Sequence, residues 1–273
     1  MTVRPARALS GALGLLAGLL VTAAAAQTVP PHERDPTPSP GFLARFHYHL
    51  AMATLSGDDP LVQWDADFGG DFDLVDFGRG RVNVLFNYEA VLGEQFQPFD
   101  PVFANYTIGL LGGVRFGTVE VAAVFEHVSR HLSDRPKVFG IAWNGLGAEV
   151  SDRRRSGAWD VEGRLRLLGV VAASYVDYDA EVTADLVVRR RWRPRLSWLA
   201  RGQGRWVATD RQRFGRSGMA AGLLEAGLRV LGERAALDVI AGVERRVDVD
   251  PIRLTPGSWA FLGVRVVDRP AVP

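Results

Sequence analysis

The stretch Phe125-Glu126-His127-Val128-Ser129-Arg130-His131-Leu132-Ser133-Asp134 gathers the residue types that acyl transfer uses. A serine hydroxyl becomes a nucleophile when a neighbouring imidazole takes its proton, and a nearby carboxylate orients that imidazole. His127, Ser129 and His131 are spaced two apart, so a straight strand places all three on one face. His127 and Ser129 are therefore the candidate catalytic pair, although the residues reveal neither an oxyanion site nor a second strand to support them. The two histidines cannot share a metal without a bend, because positions four apart on a strand are ~13 Å apart. No metal or other cofactor is expected.

A second group of chemistry-bearing residues is spread along the chain. Arg45, His47, His49, Asp65, Asp67, Asp71, Asp73, Arg81, Arg164, Arg166, Arg201 and Arg205 all fall opposite apolar neighbours in alternating segments. Charges of both signs on one face of a sheet either pair into a packed polar interior or line a narrow charged pore. In the pore reading, the acids between Asp65 and Asp73 face an arginine-rich wall further along the chain. A tight turn near Gly57 sets His47 and His49 opposite Asp67 and Asp65, and a turn near Phe77 sets Arg81 against Asp73. Three arginine groups lie in connections instead. Arg153, Arg154 and Arg155, with Arg191, Arg193 and Arg195, fall at short periplasmic turns, either to meet inner-leaflet phosphates or simply to be solvated; Arg211, Arg213 and Arg216 fall in a longer outer loop, within reach of lipid or lipopolysaccharide phosphates.

The elements that must carry these residues are strands. From Gly41 onward apolar residues recur at every second position, the period of a sheet with one apolar and one polar face. Phe42, Ala44, Phe46, Tyr48, Leu50 and Met52 oppose Arg45, His47 and His49, and similar sets recur to Leu262, Val264 and Val266 against Arg265. Two segments are less regular: 118–129, which keeps Glu120 and Glu126 on one face, and 138–150, whose phase is ambiguous. Short connections at 77–80, 116–118, 192–195 and 231–235 alternate with longer ones at 92–105, 131–138, 208–217 and 248–257. Aromatics fall near both ends of the apolar faces. That combination predicts an all-β, closed, up-and-down antiparallel transmembrane barrel of about twelve strands over 41–268, apolar side out. A soluble β-protein with the apolar faces turned inward is the competing arrangement.

The N-terminus completes this reading. Arg4 and Arg7, an apolar run from about Ala8 to Leu20 and Ala24-Ala25-Ala26 have the order of a cleavable export signal over 1–26. A proline-rich periplasmic lead-in over 27–40 and a short tail over 269–273 flank the barrel. The chain has no cysteine, a single lysine and a net charge of +1. Near-neutrality excludes nucleic-acid binding driven by bulk charge, and the absence of cysteine excludes disulfides.

The His127–Asp134 stretch resembles the H-x-S-S-H-L-x-D signature of an uncharacterised family of bacterial outer-membrane proteins, departing from it at Arg130, where the family has a second serine. The resemblance covers one strand end and a loop, and implies an envelope location without a known chemistry. More loosely, a twelve-stranded barrel with histidine and serine at its rim looks like the lipid A deacylases of the outer membrane. The expectation is an outer-membrane barrel that is structural or a narrow small-solute channel. The alternative is a lipid-modifying hydrolase acting at the outer rim. Expected partners are outer-membrane lipids, lipopolysaccharide and the barrel assembly machinery.

Overall fold

The computed structural model describes residues 40–133 and 139–268. The expected export signal, the tail, and the lead-in up to residue 39 lie outside them. Twelve strands follow one another: β1 (Gly41–Leu55), β2 (Trp64–Asp76), β3 (Gly80–Gly93), β4 (Asp100–Phe116), β5 (Val119–Leu132), β6 (Ile141–Ser156), β7 (Trp159–Ser174), β8 (Tyr178–Arg193), β9 (Leu196–Thr209), β10 (Met219–Leu231), β11 (Ala235–Asp250) and β12 (Thr255–Asp268). Each pairs antiparallel with its neighbours in sequence, and β1 pairs with β12 to close the barrel. Closure removes the sheet edges whose unpaired backbone groups would each cost several kcal/mol in hydrocarbon. The closing ladder is short: it runs from His49↔Val267 to Leu55↔Phe261. Below it, Asp268 clasps the next part of β1, accepting from the Tyr48 amide at 3.3 Å and meeting His47 Nδ1 at 2.7 Å.

The two-residue period sorts the faces as expected, apolar side outward. Phe46, Leu50, Phe86, Ile108, Leu165, Leu186 and Leu262 are exposed on the outside, while Asp71, Asp73, Arg81 and Asp238 are buried within. The inverted arrangement, with apolar side chains in a common core, is thereby excluded. Two aromatic girdles bound the apolar belt. Phe42, Phe116, Trp159, Trp192 and Trp198 stand at the end with the short turns, and Tyr106 and Trp206 at the other. This is the outer surface of a transmembrane barrel.

The short turns are sharper than the loops for a local reason. Gly117 and Gly157 occupy the first position of two-residue turns at φ 65° and 58°, a left-handed conformation that glycine adopts without strain. At the opposite end the strands reach further than the hydropathy pattern indicates, so the expected connections 92–105 and 248–257 shrink to 94–99 and 251–254. The 210–218 connection carries a one-turn helix, α1 (Arg211–Phe214).

The interior is filled by ion pairs. Arg81 reaches Asp73 at 2.8 Å and Glu120 at 2.7 Å; Arg115 joins Glu120 and Asp76. Arg45 lies 3.7 Å from Asp73, and Asn83 donates to both Asp71 and Asp73. Arg166 bridges Glu126 and Glu149, Arg164 lies 3.6 Å from Asp185, Arg201 pairs with Asp185 at 2.8 Å, and Arg205 pairs with Glu181 at 2.6 Å. Across the lumen, Arg246 gathers Asp65, Glu89 and Glu244. The expected acidic wall facing an arginine wall therefore does not form, because most of these arginines find a carboxylate on an adjacent strand. The packed polar interior does. Two of the spaces between its layers measure about 90 and 40 Å³, room for a few waters each, and another of about 300 Å³ lies under the loops beside Val62, Phe103 and Trp259.

Two registers differ from expectation. His47 lies opposite Asp71 and His49 opposite Gly69, a shift caused by a connection centred on Asp59 rather than Gly57. Asp59 builds that turn by accepting from the Leu61 amide through its side chain and the Val62 amide through its carbonyl. His49 still reaches Asp67 diagonally at 3.3 Å. Arg81 lies opposite Asp76 because the turn closes on Gly78 and Arg79, with the Phe77 amide donating to the Gly80 carbonyl, but its long side chain keeps the Asp73 contact.

Candidate active site

β5 carries His127, Ser129 and His131 on its outward face, alternating with the inward Val128 and Arg130. The neighbouring strands fix what surrounds them. On β4, Ile108 lies opposite His127, Tyr106 opposite Ser129 and Ala104 opposite His131; on β6, Asn144 lies opposite His127 and Ala142 opposite Ser129. The site thus sits on the outer wall of the cylinder at the level of the loop-end girdle. There Phe68, Tyr88 and Tyr106 make a row of ring contacts that ends edge-on against His131, with centroids 4.8, 4.8 and 4.9 Å apart.

His127 Nδ1 and Asn144 Oδ1 are 2.6 Å apart. With the amide oxygen accepting, the imidazole carries its proton on Nδ1 and leaves the Nε2 lone pair free to take another. Ser129, two residues along the same face, has its hydroxyl 3.1 Å from His131 Nε2. The Ser129 side chain therefore lies between two imidazoles, one oriented by an amide and the other packed against a tyrosine ring. Rotation about χ1 takes the hydroxyl among staggered positions. A nucleophile, a base and a group orienting the base are the parts needed for acyl transfer. Among the described residues no cluster of three or more metal-ligating side chains forms, and the Asp134 of the signature lies outside them.

Asn144 escaped the sequence reading. Alternation fails over the first half of β6 because the inward residues Ile141 and Trp143 are apolar too, packed with Val128, Val176, Tyr178 and Val207 under the loops. With both faces apolar or neutral there is no phase to read, and no register to bring Asn144 to His127. Glu149, the buried partner of Arg166, was missed for the same reason.

The outer-loop arginines divide. Arg211 and Arg213 are exposed on α1, but Arg216 turns inward across the mouth of the barrel. It meets Asp177 and Asp248 at 2.6 Å each, and Tyr178 donates to Asp248 at 2.7 Å. Arg216 is thus a latch between the 210–218 loop, the β7–β8 connection and β11, rather than a surface contact. Two carboxylates attract it more strongly than bulk solvent does.

No family model matches the chain, and no curated protein matches it. Solved structures do match, and they define its class: an outer-membrane β-barrel fold. Outer membrane phospholipase A from Escherichia coli aligns at 14% identity over 82% of this chain and 92% of that one, with a TM-score of 0.51. An active-site mutant of that protein, with an asparagine replaced by alanine, aligns at 16% identity over 88% and 95%, TM-score 0.51. The Salmonella typhi outer membrane phospholipase, a dimer with bound calcium, aligns at 14% identity over 83% and 91%, TM-score 0.50.

Proposed function

We propose that this chain is an outer-membrane serine hydrolase that cleaves acyl esters of membrane lipids. The observation that carries the reading is the 2.6 Å contact between His127 and Asn144 beside Ser129, on the outward wall of the barrel. A site facing acyl chains meets lipid directly, with no need for a lumen. The hydrolase alternative is favoured over the structural or channel expectation because the interior is filled with paired charges while the outer wall gathers a serine, two histidines and an asparagine. That one of the similar folds is a phospholipase with an asparagine in its active site supports the same chemistry.

The reaction follows from the residues. Ser129 Oγ attacks the ester carbonyl carbon as its proton passes to His127 Nε2. The tetrahedral adduct collapses, the carbon–oxygen bond to the lipid alcohol breaks, and His127 returns the proton to the departing oxygen. The products are an acylated Ser129 and a lysolipid. Water then attacks the acyl group with His127 as base, releasing a fatty acid and restoring the serine. Asn144 holds the imidazole in the tautomer each step requires. The reading includes export through residues 1–26, insertion by the barrel assembly machinery, and lipid or lipopolysaccharide as the surrounding partner.

The test is hydrolysis of phospholipid and of lipopolysaccharide acyl chains by the refolded chain, followed by mass spectrometry. Ser129→Ala should lower turnover by on the order of 10³-fold or more without loss of the barrel's heat-modifiable mobility. In planar bilayers the protein should carry no current. Stepwise conductance together with unchanged lipids would reverse the assignment.

A further inference from the structure

Most of the described arginines are matched by carboxylates, but beyond Arg189 those of one hairpin are not. Among the described residues no carboxylate pairs with Arg190, Arg191, Arg193 or Arg195, at the turn joining β8 to β9. The neighbouring β6–β7 turn differs: Arg153 pairs with Asp160 at 2.6 Å and Arg154 with Asp152 at 2.8 Å. Four arginines without a carboxylate partner among the described residues thus gather at one turn.

The same hairpin holds the densest part of the turn-end girdle. Arg190 lies opposite Trp159 on one side and Trp198 on the other, a tryptophan–arginine–tryptophan row straight across three strands. Its guanidinium stands 5.2 Å from the Trp159 ring centre. Trp192 stacks on Trp198 with ring centres 5.8 Å apart, and Arg193 lies 5.3 Å from the Trp192 ring. A bulge between Arg191 and Arg193 brings these side chains together at the strand end. Trp159, Trp192 and Trp198 are each about half exposed, facing outward.

We propose that this outward face is a binding site for the headgroup of an anionic phospholipid in the periplasmic leaflet. The chemistry of each part points to that ligand. Indole rings settle at the boundary between acyl chains and headgroups. Planar guanidinium groups grip phosphate oxygens bidentately, and the rings hold those groups at phosphate height. A zwitterionic headgroup would bring its own cation into a cluster with no acid to receive it. An anionic one neutralises the surplus. Short turns of a transmembrane barrel face the periplasm, which selects the inner leaflet over lipopolysaccharide. The site lies at the far end of the barrel from Ser129, so it stands or falls independently of hydrolysis.

The experiment uses the full mature chain with Trp64 and Trp206 replaced by phenylalanine, which removes the loop-end indoles of the outer face. It is refolded into phosphatidylcholine vesicles doped with brominated phosphatidylglycerol or, at the same mole fraction, brominated phosphatidylcholine. Tryptophan quenching should be about two-fold or more stronger with the anionic lipid, and Arg190→Gln/Arg193→Gln should erase the difference while the barrel keeps its heat-modifiable mobility. Equal quenching by the two lipids would overturn the proposal, as would an excess that survives the double substitution. Loss of the excess on adding inorganic phosphate to the buffer would assign the cluster to free anions and equally overturn it.

Discussion

Ser129 and His131 are joined through Oγ and Nε2 at 3.1 Å, so the hydroxyl points away from the imidazole that Asn144 orients. Two histidines compete for one serine, and their surroundings separate their roles. His127 has an amide oxygen to stabilise the proton on its far nitrogen; His131 has the ring of Tyr106. A ring edge steers an imidazole but does little to stabilise its charge.

From that difference, His127→Ala should lower the turnover of lipid esters by on the order of 10²-fold or more, the range of general-base loss. His131→Gln should change it by less than about ten-fold. Steady-state kinetics on the two variants checks the assignment; the reverse ranking would make His131 the base.

Asn144→Ala removes the acceptor that sets the imidazole tautomer. We expect a fall in turnover of about 10²-fold with little change in KM, since the amide orients the base rather than binding the lipid. Asn144→Asp retains an acceptor and should recover much of the loss. A KM effect of the same size as the turnover effect would argue that Asn144 contacts the substrate instead.

Asp238 tests the interior. It is fully buried and shared by Arg229 at 2.6 Å and Arg265 at 3.2 Å. Asp238→Ala leaves two buried guanidinium groups short of a partner and should cost about 3–5 kcal/mol, read as a shift of the urea midpoint for refolding into lipid. Loss of less than about 1 kcal/mol would mean that water enters and solvates the pair.

Arg216 latches the mouth, and burial alone would lower its pKa. The hydrogen bonds it donates to Asp177 and Asp248 outweigh that and hold it above the ordinary arginine range. A raised pKa contributes stability that is complete below the unfolded value and fades only as pH climbs through the folded one. The arginine side of the latch therefore does not release on raising the pH anywhere in the working range of the protein. Arg216→Ala should open it at any pH, seen as faster proteolysis within 210–218 while the barrel band persists. Unchanged cleavage would show that α1 and its Asp210 cap hold the loop unaided.

Much of the fold is legible in the sequence because the barrel imposes one rule on nearly every strand. Phe46 outward and His47 inward, or Leu165 outward and Arg164 inward, follow from a period of two and from the contrast between acyl chains and a charged interior. The rule fails where that contrast disappears. Beneath the loops the interior turns apolar around Ile141 and Trp143, and the partner of His127 is hidden with it. Register is harder to read than facing, because it depends on turn centres. Centring the first connection on Asp59 rather than Gly57 moves the partner of His47 by four residues, from Asp67 to Asp71, and closing the second turn on Gly78 and Arg79 moves the partner of Arg81 from Asp73 to Asp76. The catalytic candidates His127 and Ser129 could be picked from spacing alone. Asn144, the partner of His127, lies fifteen positions past the serine and meets that histidine only through the β5–β6 ladder.

The seam between the first and last strands sets where this cylinder is weakest. Seven residue pairs join β1 to β12, against twelve between β1 and β2. Heat, force or denaturant should find that join first and peel the sheet from one margin. Resistance to rupture then depends on those few pairs and the Asp268 clasp, however well the remaining circumference is laced.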